Sequence, residues 1–302
     1  MASSIPNEPL IPEDDSLAFS QKTKAAECFT SLLHSWTGLL GVAIIFILLF
    51  LSIFGHWIAP YDPVKTELTA KLLPPLTDGH LLGTDHLGRD LLSRIILGAR
   101  ISVIIGLSTV LIAGLIGTVI GIISGFFRGW IDIVLMRLVD VQLSFPFILL
   151  VLIINAVLGA GLKNIIISLA IGGWVIFARV IRSEVLALRE KDFIQAAVAT
   201  GVSRFEILIK HIVPNLFTPM IILASLQISS FIIAEASVSF LGFGVQPPTP
   251  AWGNMLSEGK DFIFSAWWLI TFPGLAIIIT ALGINLFGDW LRDTLDPKIK
   301  GK

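Results

Sequence analysis

The sequence predicts an all-α polytopic membrane protein with six transmembrane helices, and three observations carry that prediction. Hydrophobic residues fill 55% and charged residues 14% of the 302 positions, against about 25% charged in an average soluble domain. Six apolar runs, at 38–59, 101–126, 131–158, 164–185, 217–243 and 267–291, are each long enough to cross roughly 30 Å of hydrocarbon. Between the fourth and fifth runs lies a polar insertion, 189–216, with its own helix start and stop signals.

Residues 1–37 read as a flexible tail, with Pro6, Pro9 and Pro12 ahead of the acidic Glu13, Asp14 and Asp15. The run at 38–59 ends in HWIAPYDP instead of a small-residue cleavage site, so it is expected to stay as a span. Residues 60–100 form a loop that ends in an amphipathic helix. Leu91, Leu92, Ile95 and Ile96 share one side of it, and Arg89 and Arg94 are placed to meet water.

The remaining runs, taken together, form a core domain over 101–291. On the second span Ala113, Gly117, Gly121 and Gly125 recur every fourth position, a stripe that lets another backbone approach closely. On the third, Arg137 and Asp140 stand three apart and are expected to pair with each other, and Pro146 is expected to kink the helix. Glu235 lies inside the fifth span with Gln227 two turns earlier. An intramembrane carboxyl either bonds to a neighbouring helix or borders a translocation path, which makes Glu235, Gln227, Asp140 and Arg137 the pathway candidates. Pro247, Pro248 and Pro250 stiffen a cap before the last span, and Trp252, Trp267 and Trp268 suit a membrane interface. Residues 292–302 form a closing tail.

Charge sets the expected orientation and excludes several functions. Placing both termini and the insertion in the cytoplasm leaves 14 of the 21 Lys and Arg on that side. A net charge of −1 gives no basic face for nucleic acid. The single cysteine, Cys28, allows no internal disulfide. His80, Asp85, His86 and Asp90 fit no common metal-site spacing, so no metal ligand is assigned. Gly259-Lys260 is followed by Asp261 and lacks the rest of a phosphate loop, and neither HExxH nor GxSxG occurs. No catalytic residue is expected.

The insertion reads as two short helices. Asp192 with Gln195, and Ser203 with Glu206, have the form of N-terminal capping boxes. Gly201 stands where a positive φ would end the first helix, and Pro214 is expected to stop the second. Ala196, Ala197 and Ala199 keep the first helix low enough for a partner to approach. Phe205, Leu208, Ile209 and Ile212 form a stripe expected to lie on the membrane-embedded body. A DNA-reading helix-turn-helix is set aside, because four basic residues between 189 and 211 face three acidic ones.

Gln195, Ala196, Ala197, then Gly201, then His211, Val213 and Pro214 resemble the EAA loop of ABC importer permeases, with Gln for Glu, His for Ile and Val for Leu. HLLGTDHLGRDLLSR at 80–94, MRLVD at 136–140, EASVSFLGFGVQPPTPAWGNML at 235–256, AWWLITFPGLAI at 266–277 and GDWLRDTLDP at 288–297 are similar to the C-type permeases of dipeptide, oligopeptide and nickel importers. The resemblance implies a six-helix importer permease in a bacterial inner membrane, with a cytoplasmic coupling-helix loop. It implies a homologous B-type permease, two ATPase subunits that hold ATP and Mg, and an extracytoplasmic binding protein as partners. Gln195, Ala196, Ala197, Gly201 and Pro214 would then couple to the ATPases, with Arg204 and Phe205 as added contacts. Peptides are the default substrate, with glutathione and nickel as alternatives. An ion-coupled carrier working alone is the rival class, against which the chain offers no internal repeat and few intramembrane charges.

Overall fold

The structure, a computed structural model, describes residues 30–295; most of the expected amino-terminal tail and the end of the closing tail lie outside the described residues. All regular structure among the described residues is helical, apart from isolated bridges in the loop after the first span. The helices are α1 (Trp36–Ile58), α2 (Leu91–Phe127), α3 (Gly129–Leu143), α4 (Phe147–Leu158), α5 (Leu162–Arg189), α6 (Asp192–Ala199), α7 (Arg204–Glu206), α8 (Val213–Phe240), α9 (Trp252–Gly259) and α10 (Trp268–Leu295). Five are long and apolar enough to span a membrane, counting α7 and α8 as one, and the bent pair α3–α4 makes six.

Close backbone approach builds the centre. α2 runs for 37 residues and lays its small-residue stripe on α5. A Cβ at Gly117 would stand 2.2 Å from Trp174 O, and one at Gly121 would stand 2.6 Å from Ala178 O. Only glycine permits such contact, which supplies the dispersion that replaces hydrophobic driving force in lipid. α8 closes against α2, where Gly106 meets Ile228 and Ile232. α1 and α10 pack outside this core, with Gly41 against the backbone of Phe287.

Several expectations change. The third span breaks into two helices at 88°, across residues 144–146. Pro146 has no N–H and forces the residue before it out of helical geometry, so the expected kink becomes a corner. Arg137 and Asp140 do not pair: Asp140 accepts from Arg179 Nη2 of α5 at 2.8 Å, and Arg137 is exposed without an ion pair among the described residues. A neighbouring helix offered a better-placed cation than the next turn did.

Arg89 and Arg94 do not face water; they are 4% and 2% exposed. The loop before α2 folds back on itself, with Thr84 N donating to Leu73 O and Leu91 N to Gly83 O, and α9 delivers Glu258 to the two guanidiniums. Trp252 and Trp268 are also buried rather than interfacial. Their indole N–H groups donate to Ile95 O at 3.0 Å and Thr84 O at 3.2 Å. Together these contacts bind the loop, the start of α2, α9 and the start of α10 into one packed end, opposite α6.

Candidate coupling interface

α6 stands at the other end of the molecule, where α2, α5 and α8 also end or begin. Lys191 precedes its first turn without a side-chain cap, so the box expected from Asp192 and Gln195 is not formed; Asp192 enters as the first helical residue. Its carboxylate there still favours the positive end of the helix dipole. α6 ends in a Schellman motif: Val202 N donates to Ala197 O and Gly201 N to Val198 O, both at 3.1 Å. Gly201 holds φ at +81° as this motif requires. Ser203 then caps the next helix, its Oγ accepting from Glu206 N at 3.2 Å.

Pro214 does not stop that helix. α7 passes through a π-helical turn at Ile207–Ile212 into α8, and Pro214 sits in the first turn after it. There a missing N–H leaves no broken bond. The wider turn also splits the expected apolar stripe, because five-residue spacing rotates successive side chains off a common line. Ile207 and Ile212 are buried, whereas Phe205 is 74% exposed and Ile209 about half exposed.

One residue anchors α6 to the body. Ile194 is buried with Leu188, Ile207, Ile212 and Leu216, and Ala197 is packed against this cluster. Gln195, Ala196, Val198, Ala199 and Arg204 remain exposed. The result is a low, alanine-rich face flanked by exposed Phe193, Val198 and Phe205, held on a rigid base.

Polar clamps make the base rigid. Arg189 Nη1 donates to Phe126 O at 2.6 Å and its guanidinium stands over the Phe126 ring. Arg128 Nη2 donates to Glu190 Oε1 at 2.6 Å, and that hydrogen bond with the guanidinium charge holds the Glu190 carboxyl below its ordinary range. The short stretch leading into α6 is thus tied to the α2–α3 corner. Sequence reasoning missed these clamps, because each joins residues more than sixty positions apart.

The four pathway candidates are not joined to one another by any hydrogen bond or ion pair. Glu235 is 1% exposed; Ser239 Oγ donates to its Oε1 at 2.5 Å, and Oε2 has no partner in the structure. Gln227 is half-buried on the same helix, and Arg137 and Asp140 are exposed on α3. At the opposite end of the molecule Asp85, His86 and Glu258 bring potential ligand atoms within 4.8 Å of one another. Two guanidiniums already neutralise the carboxylates there: Arg89 reaches Asp85 at 2.6 Å and Glu258 at 2.8 Å, and Arg94 bonds both. A cation would have to displace them, and the void alongside, about 10 Å³, holds at most one water. Burial pulls the Asp85 carboxyl up, but Arg94, Arg89 and two backbone N–H groups outweigh it and hold the group below its usual value.

These features define a polytopic helical membrane protein with a short, largely exposed helix anchored at one end through Ile194. Residues 117–301 match the family described as binding-protein-dependent transport system inner membrane component, and residues 26–75 match the N-terminal transmembrane domain of oligopeptide transport permease C. The chain is 41% identical over 292 residues to the di/tripeptide transport system permease protein DppC of Pseudomonas aeruginosa, covering 95% of this chain and 96% of that one. It is 43% identical over 257 residues to the glutathione transport system permease protein GsiD of Escherichia coli, covering 85% of each. A solved structure of the MetNI methionine ABC transporter in an inward-facing conformation shares the fold, with a TM-score of 0.55, 17% identity, and coverage of 67% of this chain and 97% of that one. The chain belongs to the binding-protein-dependent ABC importer permeases, as a C-type subunit.

Proposed function

We propose that this subunit forms, with a homologous B-type permease, the membrane pathway of an ATP-driven peptide importer. Two separate ATPase subunits would hold ATP and Mg, and an extracytoplasmic binding protein would deliver substrate to the end that carries α9. Both termini and α6 lie in the cytoplasm in this reading.

The observation that carries the coupling role is the contrast within α6. Its buried Ile194 and clamped entry fix it to the α2–α5 pair, while its outer face is small, uncharged at Ala196 and Ala199, and unpartnered. A helix of that kind transmits a push instead of absorbing it. Closure of an ATPase dimer would draw α6 inward, and α2, α5 and α8 would follow as the two permeases rock between access states. Glu235 makes its one hydrogen bond within α8 and leaves Oε2 unpaired, so it stays a candidate for the pathway.

Di- or tripeptides are the favoured substrate, supported by the 41% identity to a protein named for their transport; the GsiD likeness keeps glutathione as the second reading. Uptake of labelled dipeptide into membrane vesicles tests both mechanism and substrate. We expect uptake to survive a proton uncoupler and to stop when ATP is removed. Uptake abolished by the uncoupler alone would identify an ion-coupled carrier.

A further inference from the structure

Between α1 and the core lies an apolar cavity of about 190 Å³. Its origin is the way α1 is pinned. Near one end Gly41 rides on α10, where a Cβ would stand 2.6 Å from Phe287 N; near the other, Gly55 rides on α2, 2.9 Å from Ile96. α1 therefore crosses from one neighbour to the other, and the space between the two contacts stays open. Leu48 and Leu49 roof it, Val103 and Leu107 form one wall, and Ile228 and Ile232 of α8 form the floor.

We propose that this cavity binds the acyl chain of a membrane lipid. Its lining carries almost no polar surface, and the one hydroxyl present, on Ser225, already donates to Ile222 O at 2.8 Å. Water gains no partners in such a space, and a polar ligand gains none either. Its depth also fits, since Leu48 and Ile228 stand near the middle of α1 and α8, where hydrocarbon is the surrounding solvent. The cavity opens sideways past Leu49 and Leu107, both about two-fifths exposed. This opening adjoins the exposed apolar surface of α1, with Phe46, Ile47, Phe50 and Ile53. A chain lying against that surface enters without crossing any polar group. Seated there, it restores the dispersion contacts that the crossing of α1 gives up.

The test uses the full chain in its native membranes, fused with phosphatidylethanolamine vesicles whose acyl chains end in a diazirine. After illumination, adducts are located by peptide mass. We expect adducts on Leu48, Val103 or Ile228, and their loss in Ile228→Trp, which fills the cavity, while adducts on Ile47 and Phe50 persist. If Ile228→Trp fails to reach the membrane, Val103→Phe fills the same space from α2. Adducts confined to Ile47 and Phe50 in the unmodified chain would overturn the proposal. So would a photocrosslink to a partner permease from a maleimide–benzophenone attached to Leu107→Cys in a Cys28→Ser background, since protein would then cover the opening.

Discussion

Arg182 of α5 grips Asp132 of α3 through two parallel hydrogen bonds, Nε to Oδ1 at 2.5 Å and Nη2 to Oδ2 at 2.6 Å. Ser124 of α2 donates to the same carboxylate, so one side chain joins three helices beside the entry to α6. Asp132→Ala removes all of these bonds. We expect a loss of roughly 1–2 kcal/mol, at the low end for hydrogen bonds to a charged group because Arg182 is partly exposed. Thermal unfolding in detergent reads the loss, and transport driven by ATP should fall further than binding-protein docking does.

Gly117 and Gly114 stand three residues apart on α2 and predict opposite outcomes. A methyl group at Gly117 meets Trp174 O at 2.2 Å, whereas at Gly114 its nearest neighbour is 3.4 Å away. Gly117→Ala should cost about 1–3 kcal/mol through overpacking, and Gly114→Ala should be near neutral. Comparing the two melting temperatures checks this.

At Gly201 the backbone, not space, is limiting. Nothing lies within 4 Å of a Cβ there, but φ is +81°. Gly201→Val should cost about 1–2 kcal/mol locally and fray the end of α6, lowering uptake while the chain still inserts. Gly201→Asn, which tolerates this conformation better, should retain more transport.

The buried lattice of Asp85, Arg89, Arg94 and Glu258 predicts a dependence on charge and on pH. Asp85→Asn leaves two buried guanidiniums sharing one carboxylate, and breaking such a set costs about 3–5 kcal/mol. Asp85 titrates below its ordinary value of 3.8, so the folded state binds its proton less readily than the unfolded state does. Its contribution is therefore complete above 3.8 and is lost as pH falls through the lower folded value. Protease sensitivity of the loop at residues 60–90 should rise over that acid interval in the native chain. In Asp85→Asn it should already be high at neutral pH.

Legibility in the sequence followed the range of the interactions. The spans, the Gly117–Gly125 stripe, a bend at Pro146 though not its 88° break, the Ser203 cap and the positive φ of Gly201 all depend on residues within a few positions, and their signals stand in the chain. Arg89 and Arg94 were misjudged as water-facing because their partner Glu258 arrives from 164 or more residues away. Pro214 was misjudged as a stop because a π-helical turn, which has no plain sequence signature, places it at a tolerated position. The same turn exposed Phe205 and Ile209 while burying Ile207. Of the three alanines expected on the outer face of α6, Ala196 and Ala199 are exposed there, whereas Ala197 packs inward on the Ile194 cluster; neither that packing nor the clamps that fix the base were legible.

The role proposed for α6 is to transmit the work of ATPase subunits to α2, α5 and α8. The direct measurement is crosslinking from its outer face: Cys28→Ser with Ala196→Cys, in native membranes, labelled with a maleimide–benzophenone and illuminated, and the captured protein identified by mass. The account predicts an ATPase subunit joined at residue 196, with crosslink yield changing when a non-hydrolysable ATP analogue is added. No ATPase joined at residue 196, in membranes that still take up peptide, would contradict it.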